Sequence, residues 1–532
     1  MKKLVSLLLA LAMVLSCTAA MAAVDPAKVV NNPDEKFTIA WLGGHDTTPM
    51  EEDSLVIAWL EEKFNVELDC WFVDRSSYDE LLTTRIIGGD VPDIFLMENN
   101  QQFAKFVKQG VCMELPIEVI QQNMPNSYAW LMEYDPTCFD NVSYAGKNYG
   151  LPRVNGDGAY NYAPMWRADW LDKFGYEGTV PMTLAECEEV FYKMANEDPD
   201  GNGVKDTYAL SNTGMLPIYG AFGALPDRWV DDGEGNLVYG AVHPGMKDAL
   251  TLLAKWYRDG LIDPEFVTGE NAGGHWSLSI PFENGVIGFS SPGAFYQQTP
   301  DFDGPTNEET NEGRNFNFGK TVRTLANNPD FGYEKVRIGY NPVGPDGKSQ
   351  GGDSWGFTTS EAIVFSYKLE EEPAKLARIL AIVEAIGSDY DTWWKIFKWD
   401  LEPENYNYDD LLGYVAKDPA YDRAAKYGEN HGNLFNTLQN PNFRKVYDPA
   451  QYNWADQMPM YHTGGYSRVK LPITTESQPK YWTSMETLRE VTFMQIITGE
   501  QPIEAYDTFV QQWYSMGGTQ ITEEANEWYH SL

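Results

Sequence analysis

Phe37-Thr38-Ile39-Ala40-Trp41-Leu42 is a short apolar run that breaks into the polar loop Gly43-Gly44-His45-Asp46. It reads as a strand, because branched and aromatic residues dominate it and turn formers end it. The stretch from Leu55 to Gly110 decides the fold. Leu55, Trp59, Leu60 and Phe64 recur at helical spacing and mark one face of a helix. Val66, Leu68, Cys70 and Phe72 alternate as a second strand. Tyr78, Leu81, Leu82 and Ile86 mark the next helix, which Gly88-Gly89 ends. Ile94-Phe95-Leu96 is a third strand, and Phe103, Phe106 and Val107 lie on a third helix that Gly110 stops. Strand and helix in alternation predict a parallel, doubly wound sheet. Ligands of such sheets bind beyond the carboxyl ends of the strands. Those ends carry Trp41 to Asp46, Val73 to Ser76 and Met97 to Asn100.

Upstream of the first strand the chain reads as a targeting segment. Lys2 and Lys3 precede a short apolar stretch, Leu4 to Leu15. Two processing readings fit. Val14-Leu15-Ser16-Cys17 matches a permissive lipobox, in which Cys17 would carry a lipid; Ala20-Met21-Ala22 matches an ordinary signal-peptidase site. Either predicts export, to the cell surface with a lipid anchor or as a secreted or periplasmic protein. No later apolar stretch approaches the roughly 20 residues that span a bilayer. Cys70, Cys112, Cys138 and Cys187 sit at long spacings without a C-x-x-C pair, so neither a zinc site nor a redox couple is suggested. Export permits disulfides, yet a buried free thiol suits Cys70 equally well.

The chain has 532 residues, enough for two to four domains at roughly 150 residues each. Its formal net charge of −39 repels phosphate backbones, which argues against nucleic-acid binding and against steering of anionic cargo. With 17 Trp and 31 Tyr, the chain has rings for a ligand cleft as well as for cores. Past Tyr160 the helices lengthen. Met246, Leu250, Leu253 and Tyr257 form a helical stripe that Gly260 closes. Residues Ser291 to Asn328 are rich in Gly, Pro and Asn and long for a plain loop.

The sharpest local motif is Asp198-Pro199-Asp200-Gly201-Asn202-Gly203-Val204-Lys205-Asp206. Oxygen side chains at positions 1, 3 and 5, then Gly at 6, wrap a chain around calcium. Val204 can offer its carbonyl, and Asp206 stands at position 9. Ala209 occupies the place of the usual EF-hand glutamate, so this is an EF-hand-like loop. An acidic turn without metal is the plain alternative. Asp231-Asp232-Gly233-Glu234-Gly235-Asn236 lacks the oxygen spacing and reads as a hairpin turn. Enzyme motifs such as H-E-x-x-H and G-x-S-x-G are absent. A glycosidase needs only two carboxylates, which spacing alone does not exclude among 78 acidic residues.

Several segments resemble the family 1 extracellular solute-binding proteins of carbohydrate ABC importers, and among them the long, calcium-containing branch that includes alginate-oligosaccharide-binding proteins. Gly88-Gly89-Asp90-Val91-Pro92-Asp93-Ile94 resembles that family's G-D-x-P-D-I segment. Trp166-Arg167-Ala168-Asp169-Trp170-Leu171-Asp172, with Pro181-Met182-Thr183 after it, is similar to its R-x-D-W-L-D…P-x-T block. Trp256 to Glu265, Phe282 to Gly288 and Ile497-Thr498-Gly499 match further landmarks in order. Lys398-Trp399-Asp400-Leu401-Glu402-Pro403 departs from the G-x-E-G turn of many relatives, which leaves one side of the cleft undefined.

The resemblance implies a two-lobed, type II-like periplasmic-binding-protein α/β fold, each lobe a doubly wound sheet flanked by helices, with the ligand cleft between them. It implies three crossings, which fall near Pro152, Phe282 and Gly352. The first lobe is then expected from residues 24–152 and 283–352, and the second from 153–282 and 353–532, after a signal segment at 1–23. The expected function is capture of a sugar or oligosaccharide for an ABC permease, by a monomer with structural calcium and no organic cofactor. Receptors for peptides or other small solutes, and a secreted glycosidase, are the alternatives. Sugar sites stack flat rings on pyranose faces and bond neighbouring hydroxyls with planar side chains. Expected rings are Trp41, Tyr160, Trp166, Trp276 and Trp355; expected polar partners are His45, Asp46, Asp93, Asn99 and Asp353. Arg167 and Asp169 are expected to form an ion pair within the second lobe.

Overall fold

The structure is a computed structural model describing residues 23–43, 54–71, 73, 77–98, 100–156, 160–267, 279–291, 298, 326–349, 354–355, 357–398, 406–409, 413–416, 435, 437–447, 449–462, 475 and 477–530. The alternation at its start is present as read: β1 (Phe37–Leu42), α1 (Leu55–Phe64), β2 (Val66–Cys70), α2 (Tyr78–Ile87), β3 (Ile94–Met97) and α3 (Asn100–Lys108). Ser54 caps α1 by accepting from the Ile57 N–H, and Asn65 ends it in left-handed backbone. β1 runs parallel to β2 and β3, with Trp41 level with Cys70 on one side and Ile94 on the other.

The chain then builds β4 (Gly150–Val154), β5 (Tyr160–Asn161) and β6 (Met165–Arg167). Helices α4 (Leu184–Asn196), α5 (Asn212–Ala221) and α6 (Gly245–Arg258) come after them. A full capping box between Thr183 and Glu186 starts α4. Next come β7 (Phe289–Ser290), β8 (Val336–Ile338), β9 (Ser354–Trp355), β10 (Thr358–Phe365) and α7 (Pro373–Ser388). Farther on lie α8 (Pro441–Tyr447), α9 (Pro449–Asp456) and the closing helices α10 (Gln478–Thr498), α11 (Ala505–Trp513) and α12 (Thr519–Tyr529).

Two large cores organise these elements. The first sheet has the order β2-β1-β3-β10-β4, in which β10 is antiparallel to both neighbours. Its core gathers Ile39, Leu60, Phe95 and Phe103 with Ile363, Leu380 and Ile386. Arg378 of α7 fastens this lobe's edge: its guanidinium donates to the Phe64, Asn65 and Asn32 carbonyls and to Asn31 Oδ1. The second core gathers Trp166, Phe191, Leu250, Trp256 and Phe289 with Ile496, Phe509 and Trp513 of the closing helices.

This partition corrects the expected lobe boundaries. β10 and α7, expected in the second lobe, complete the first sheet and its core. β7 and β8, expected in the first lobe, flank β6 in the order β7-β6-β8. The physical reason is the strand at 358–365. It is apolar on both faces toward its end, Ala362-Ile363-Val364-Phe365, and fits only the centre of a covered sheet. Among the described residues the second lobe's sheet has three antiparallel strands, and isolated parallel bridges, Tyr208 to Ile287 and Leu210 to Ile262, lie between its helices.

The crossings also shift. Val154 to Tyr160 carries the chain out of the first sheet, and Trp355 to Thr358 carries it back. Both lie close to the positions expected near Pro152 and Gly352. Phe282, the expected third crossing, is buried in a smaller core with Tyr160, Met165 and Ile338. The third passage instead runs through α8 and α9, from Leu438 in the first core to Ala455 and Tyr461 in the smaller one.

Candidate ligand site

The strand registers fix which end of each sheet meets the crossings. β5 pairs with β9 through Tyr160–Trp355, and β4 pairs with β10 through Val154–Thr358 and Pro152–Ala362. Between these pairs one residue of β4, Arg153, therefore faces three of β10, an irregularity over 359–361 that bends the returning strand. Thr359 Oγ1 ties the bulge to the Arg153 carbonyl at 3.1 Å. Gly156 lies where the third passage packs closely: an added Cβ would stand 2.7 Å from Gln439 Oε1. Tyr452 also donates its hydroxyl to the Gly156 carbonyl.

On the second lobe, β7 ends with Ser290 level with Met165, the first residue of β6. Ser290 and Ser291 thus sit at the crossing end of that sheet. The Ser291 N–H donates to the Thr213 carbonyl at 3.1 Å, which brings the first turn of α5 against them. Gly214 permits the approach, since a Cβ there would lie 3.0 Å from the Phe289 carbonyl. Thr213, Ser290 and Ser291 are 4%, 0% and 0% exposed. Yet Asn212 Oδ1, Thr213 Oγ1, Ser290 Oγ and Ser291 Oγ are buried without a hydrogen-bond partner among the described residues. Each such atom costs about 1–3 kcal/mol unless something bonds it. Two at a strand end and two in the first turn of α5 form a cradle of oxygens able to bond hydroxyl groups.

The first lobe's facing edge is already bonded. Glu98 follows β3, and its N–H donates to Gln102 Oε1 at 3.0 Å. Gln102 Nε2 in turn donates to Asp79 Oδ1 at 2.6 Å. Glu361, beside Ala362 and so beside Met97 and Glu98, pairs with Arg153 at 3.4 Å. Tyr78 donates its hydroxyl to the Leu96 carbonyl at 2.8 Å. Burial, then the Glu98 charge, holds that phenol well above its ordinary range.

Of the ten expected ligand residues, three rings and one carboxylate are accounted for by packing. Trp41 is fully buried against Phe435, 5.1 Å between ring centres. It shares the inner face of β1 with Ile39, so no ring face is left for a ligand. Trp166 is 2% exposed and packs on Phe289 at 4.5 Å and Phe191 at 5.6 Å. Tyr160 is buried beside Tyr461 and His462, with its hydroxyl 3.5 Å from Asp456 Oδ1. Asp93 Oδ2 accepts from the Ala40 N–H at 2.8 Å and pairs with Lys375 at 2.7 Å. In this structure these four serve in packing and bracing. Trp355 is described only as backbone paired with Tyr160. His45, Asp46, Asn99, Trp276 and Asp353 lie outside the described residues. Arg167 and Asp169 form the expected pair, 2.6 Å apart.

The cradle was missed because Ser, Thr and Asn are turn formers everywhere. A signal existed: Ser290-Ser291 ends an apolar run, and Ser211-Asn212-Thr213 comes directly after Ala209-Leu210. Polar residues at the ends of apolar strands mark the ligand side of an α/β sheet.

The acidic loop at 198–206 lies at the surface, after α4. Asp198 is in left-handed backbone, as are Gly201 and Gly203. Asp198 Oδ2 accepts from the Gly203 N–H at 3.1 Å, while its Oδ1 is buried without a partner among the described residues. Asn202 Nδ2 donates to Asp200 Oδ2 at 2.8 Å and to both Asp206 oxygens at 3.2 Å, supplying the positive end that the carboxylates need. Partial burial, then Asp198 and Asp206, holds the Asp200 carboxyl above its ordinary value. Among the described residues no three His, Cys, Asp or Glu side chains converge as metal ligands. The orphaned Asp198 oxygen and the oxygen-only donor set fit calcium. All four described cysteines are free, and burial pushes the Cys70 and Cys138 thiols up to about 12, which disfavours the thiolate.

Comparison with known proteins gives a family match and several individual similarities. Residues 58–360 match the family profile described as bacterial extracellular solute-binding protein. Lipoprotein LipO of Bacillus subtilis (strain 168) is 29% identical over 225 residues, 40% of this chain and 42% of that protein. The polygalacturonan/rhamnogalacturonan-binding protein YtcQ of the same organism is 26% identical over 244 residues, 44% of this chain and 46% of that protein. The matched region thus spans under half the length of either relative. The crystal structure of alginate-binding protein AlgQ2 without calcium ion superposes with a TM-score of 0.62 at 15% identity, covering 94% of this chain and 99% of that one. The two-lobed α/β fold is shared with it.

Proposed function

This chain belongs to the bacterial extracellular solute-binding proteins, and from that premise we propose that it is a transport receptor which captures a sugar or oligosaccharide and delivers it unchanged to an ABC permease. The observation that carries the reading is the cradle of Asn212, Thr213, Ser290 and Ser291, whose four buried oxygens lack partners among the described residues. Sugar hydroxyls both donate and accept, so one ring can satisfy several such atoms. A ligand without matching hydroxyls leaves them unpaired and is rejected. Trp276 is the proposed stacking ring, with His45, Asp46, Asn99, Asp353 and Trp355 as further contacts. Ligand bridging the cradle and the first lobe's edge favours the closed form, because only differential affinity shifts that equilibrium.

Calcium is proposed at Asp198, Asp200, Asn202, the Val204 carbonyl and Asp206. It would neutralise the loop and stiffen the exit of α4, away from the cargo. The protein is read as exported, either anchored through Cys17, in keeping with a relative named as a lipoprotein, or cleaved after Ala22. Among the described residues no helix is long and apolar enough to cross a membrane.

A thermal-shift screen against a glycan and peptide panel tests the reading. Stabilisation by oligosaccharides, recovered intact, is expected. Stabilisation by peptides alone, or breakdown of the glycan, would replace it with a peptide receptor or a glycosidase.

A further inference from the structure

A proline lies inside the helix that carries half of the cradle. The segment before α5 and the start of β7 run side by side: the Gly288 and Phe289 N–H groups both donate to the Ala209 carbonyl, at 3.1 and 2.8 Å. The chain then leaves this ladder past Leu210 and turns into α5. The ladder would be expected to end there, because each helical carbonyl is taken by the N–H four residues on. One more rung forms instead. The Ser291 N–H donates to the Thr213 carbonyl at 3.1 Å, from a strand end to the first turn of a helix. Four places after Thr213 stands Pro217, buried inside α5. Proline has no N–H, and its ring crowds the carbonyl four residues before it. The Thr213 carbonyl is thus without its helical donor, and Ser291 supplies one.

The consequence reaches the cargo. Thr213 and Ser291 are both more than nine-tenths buried, and each carries one of the orphaned oxygens, on two different elements. Neighbouring hydroxyls of a sugar ring stand at fixed distances, so one ring bonds both oxygens only if the two elements keep one spacing. The Ser291–Thr213 rung sets that spacing through the backbone of the same two residues. Gly214 lets the elements come together, since a Cβ there would stand 2.6 Å from Leu210 Cβ and 3.0 Å from the Phe289 carbonyl oxygen. With any other residue at 217, an N–H would compete for the Thr213 carbonyl and draw it back along the helix. We infer that Pro217 is a positioning residue of the cargo site: by withholding a helical donor it gives the Thr213 carbonyl to Ser291, and so fixes the separation of the α5 and β7 hydroxyls. It acts through the backbone and touches no cargo. This rests on the reading of the cradle as a sugar site.

The test compares two replacements in the full chain that differ only in the donor. Pro217→Ala restores an N–H. The same replacement with an ester in place of the 216–217 peptide link has the alanine methyl and no N–H. Lost packing is common to both, so the difference between them reports the donor alone. Cargo affinity is measured by calorimetric titration with whichever of maltotriose, xylotriose, kestose and trigalacturonate stabilises the parent most. Exchange of the Ser291 amide hydrogen is followed in the unliganded protein. The ester protein is expected to bind the sugar about fivefold more tightly than the amide protein and to exchange the Ser291 hydrogen about fivefold more slowly, the worth of one hydrogen bond. Circular dichroism and the melting temperature check that both are folded. If the alanine pair does not fold, Pro217→Val with its own ester fills more of the ring's space and carries the same comparison. Two proteins that bind alike overturn the inference, whether both match the parent or both have lost the sugar, while the sugar-receptor reading stands. A difference in binding with Ser291 exchange unchanged overturns it as well, because the donor then acts elsewhere. A parent that binds peptides and no sugar overturns the reading, and the inference with it.

Discussion

The two edges that meet at the crossings are built from different kinds of polar group. On the first lobe the polar side chains at that edge are engaged: Arg153 with Glu361, Gln102 with Asp79. On the second lobe, four neutral oxygens are buried without partners among the described residues. Satisfied groups hold a shape, and orphaned ones wait for something to bond. The contrast teaches that a conspicuous ring or charge near a strand end can belong to packing rather than to a ligand. Trp41, Trp166 and Asp93 are the residues a reader notices first, and all three are used up in packing.

Breaking a packing residue should give the largest effect. Trp166→Ala is expected to cost about 3–5 kcal/mol in denaturant unfolding, since it empties the space between Phe191 and Phe289. A loss under about 1 kcal/mol would return Trp166 to the cleft. Asp93→Ala should cost about 3 kcal/mol by leaving the buried Lys375 with only the distant Glu372 carboxylate, 3.9 Å away. Lys375→Met in the same chain should recover part of that loss, because no uncompensated charge then remains. An Asp93→Ala protein of normal stability with weakened binding would make Asp93 a ligand contact instead.

Calcium comes next. Saturation at a hundred times the dissociation constant adds about 2.7 kcal/mol. Chelation should therefore lower the melting temperature, and Asp200→Ala should remove that sensitivity. Identical melting in excess calcium and in chelator would leave the Asn202 amide as the loop's own hydrogen-bond donor to the carboxylates.

The smallest effects on stability are expected where binding changes most. Thr213→Val and Ser291→Ala each remove an unpaired buried oxygen. The unliganded protein should be unchanged or more stable by up to about 1 kcal/mol. Each should weaken cargo binding about tenfold, or about 1.4 kcal/mol. A clear loss of unliganded stability would mean that these hydroxyls have structural partners.

The first sheet was legible because its alternation of periods is local: Val66 to Cys70 alternates, and Leu55 to Phe64 repeats every three to four residues. The order of the lobes was not, because β10 reaches β3 and β4 from far along the chain, and nothing near residue 358 in sequence marks that pairing. Family landmarks located the crossings near 152 and 352 but not the helical passage through α8 and α9. Trp41 and Trp166 went to cores for a plainer reason. A tryptophan beside a turn serves a core as well as a cleft, and only the strand register shows which face it takes. Ser290 and Ser291 were readable in principle, as hydroxyls ending an apolar strand, but their burial without partners among the described residues is a three-dimensional fact.

The central claim is that cargo is held by the orphaned oxygens of the second lobe. It is tested most directly by calorimetric titration of the Thr213→Val, Ser291→Ala double variant with an oligosaccharide that stabilises the parent protein. The account predicts a loss of affinity of about a hundredfold, or about 2.7 kcal/mol, in a protein that melts no lower than its parent. Unchanged affinity in that folded variant would contradict it.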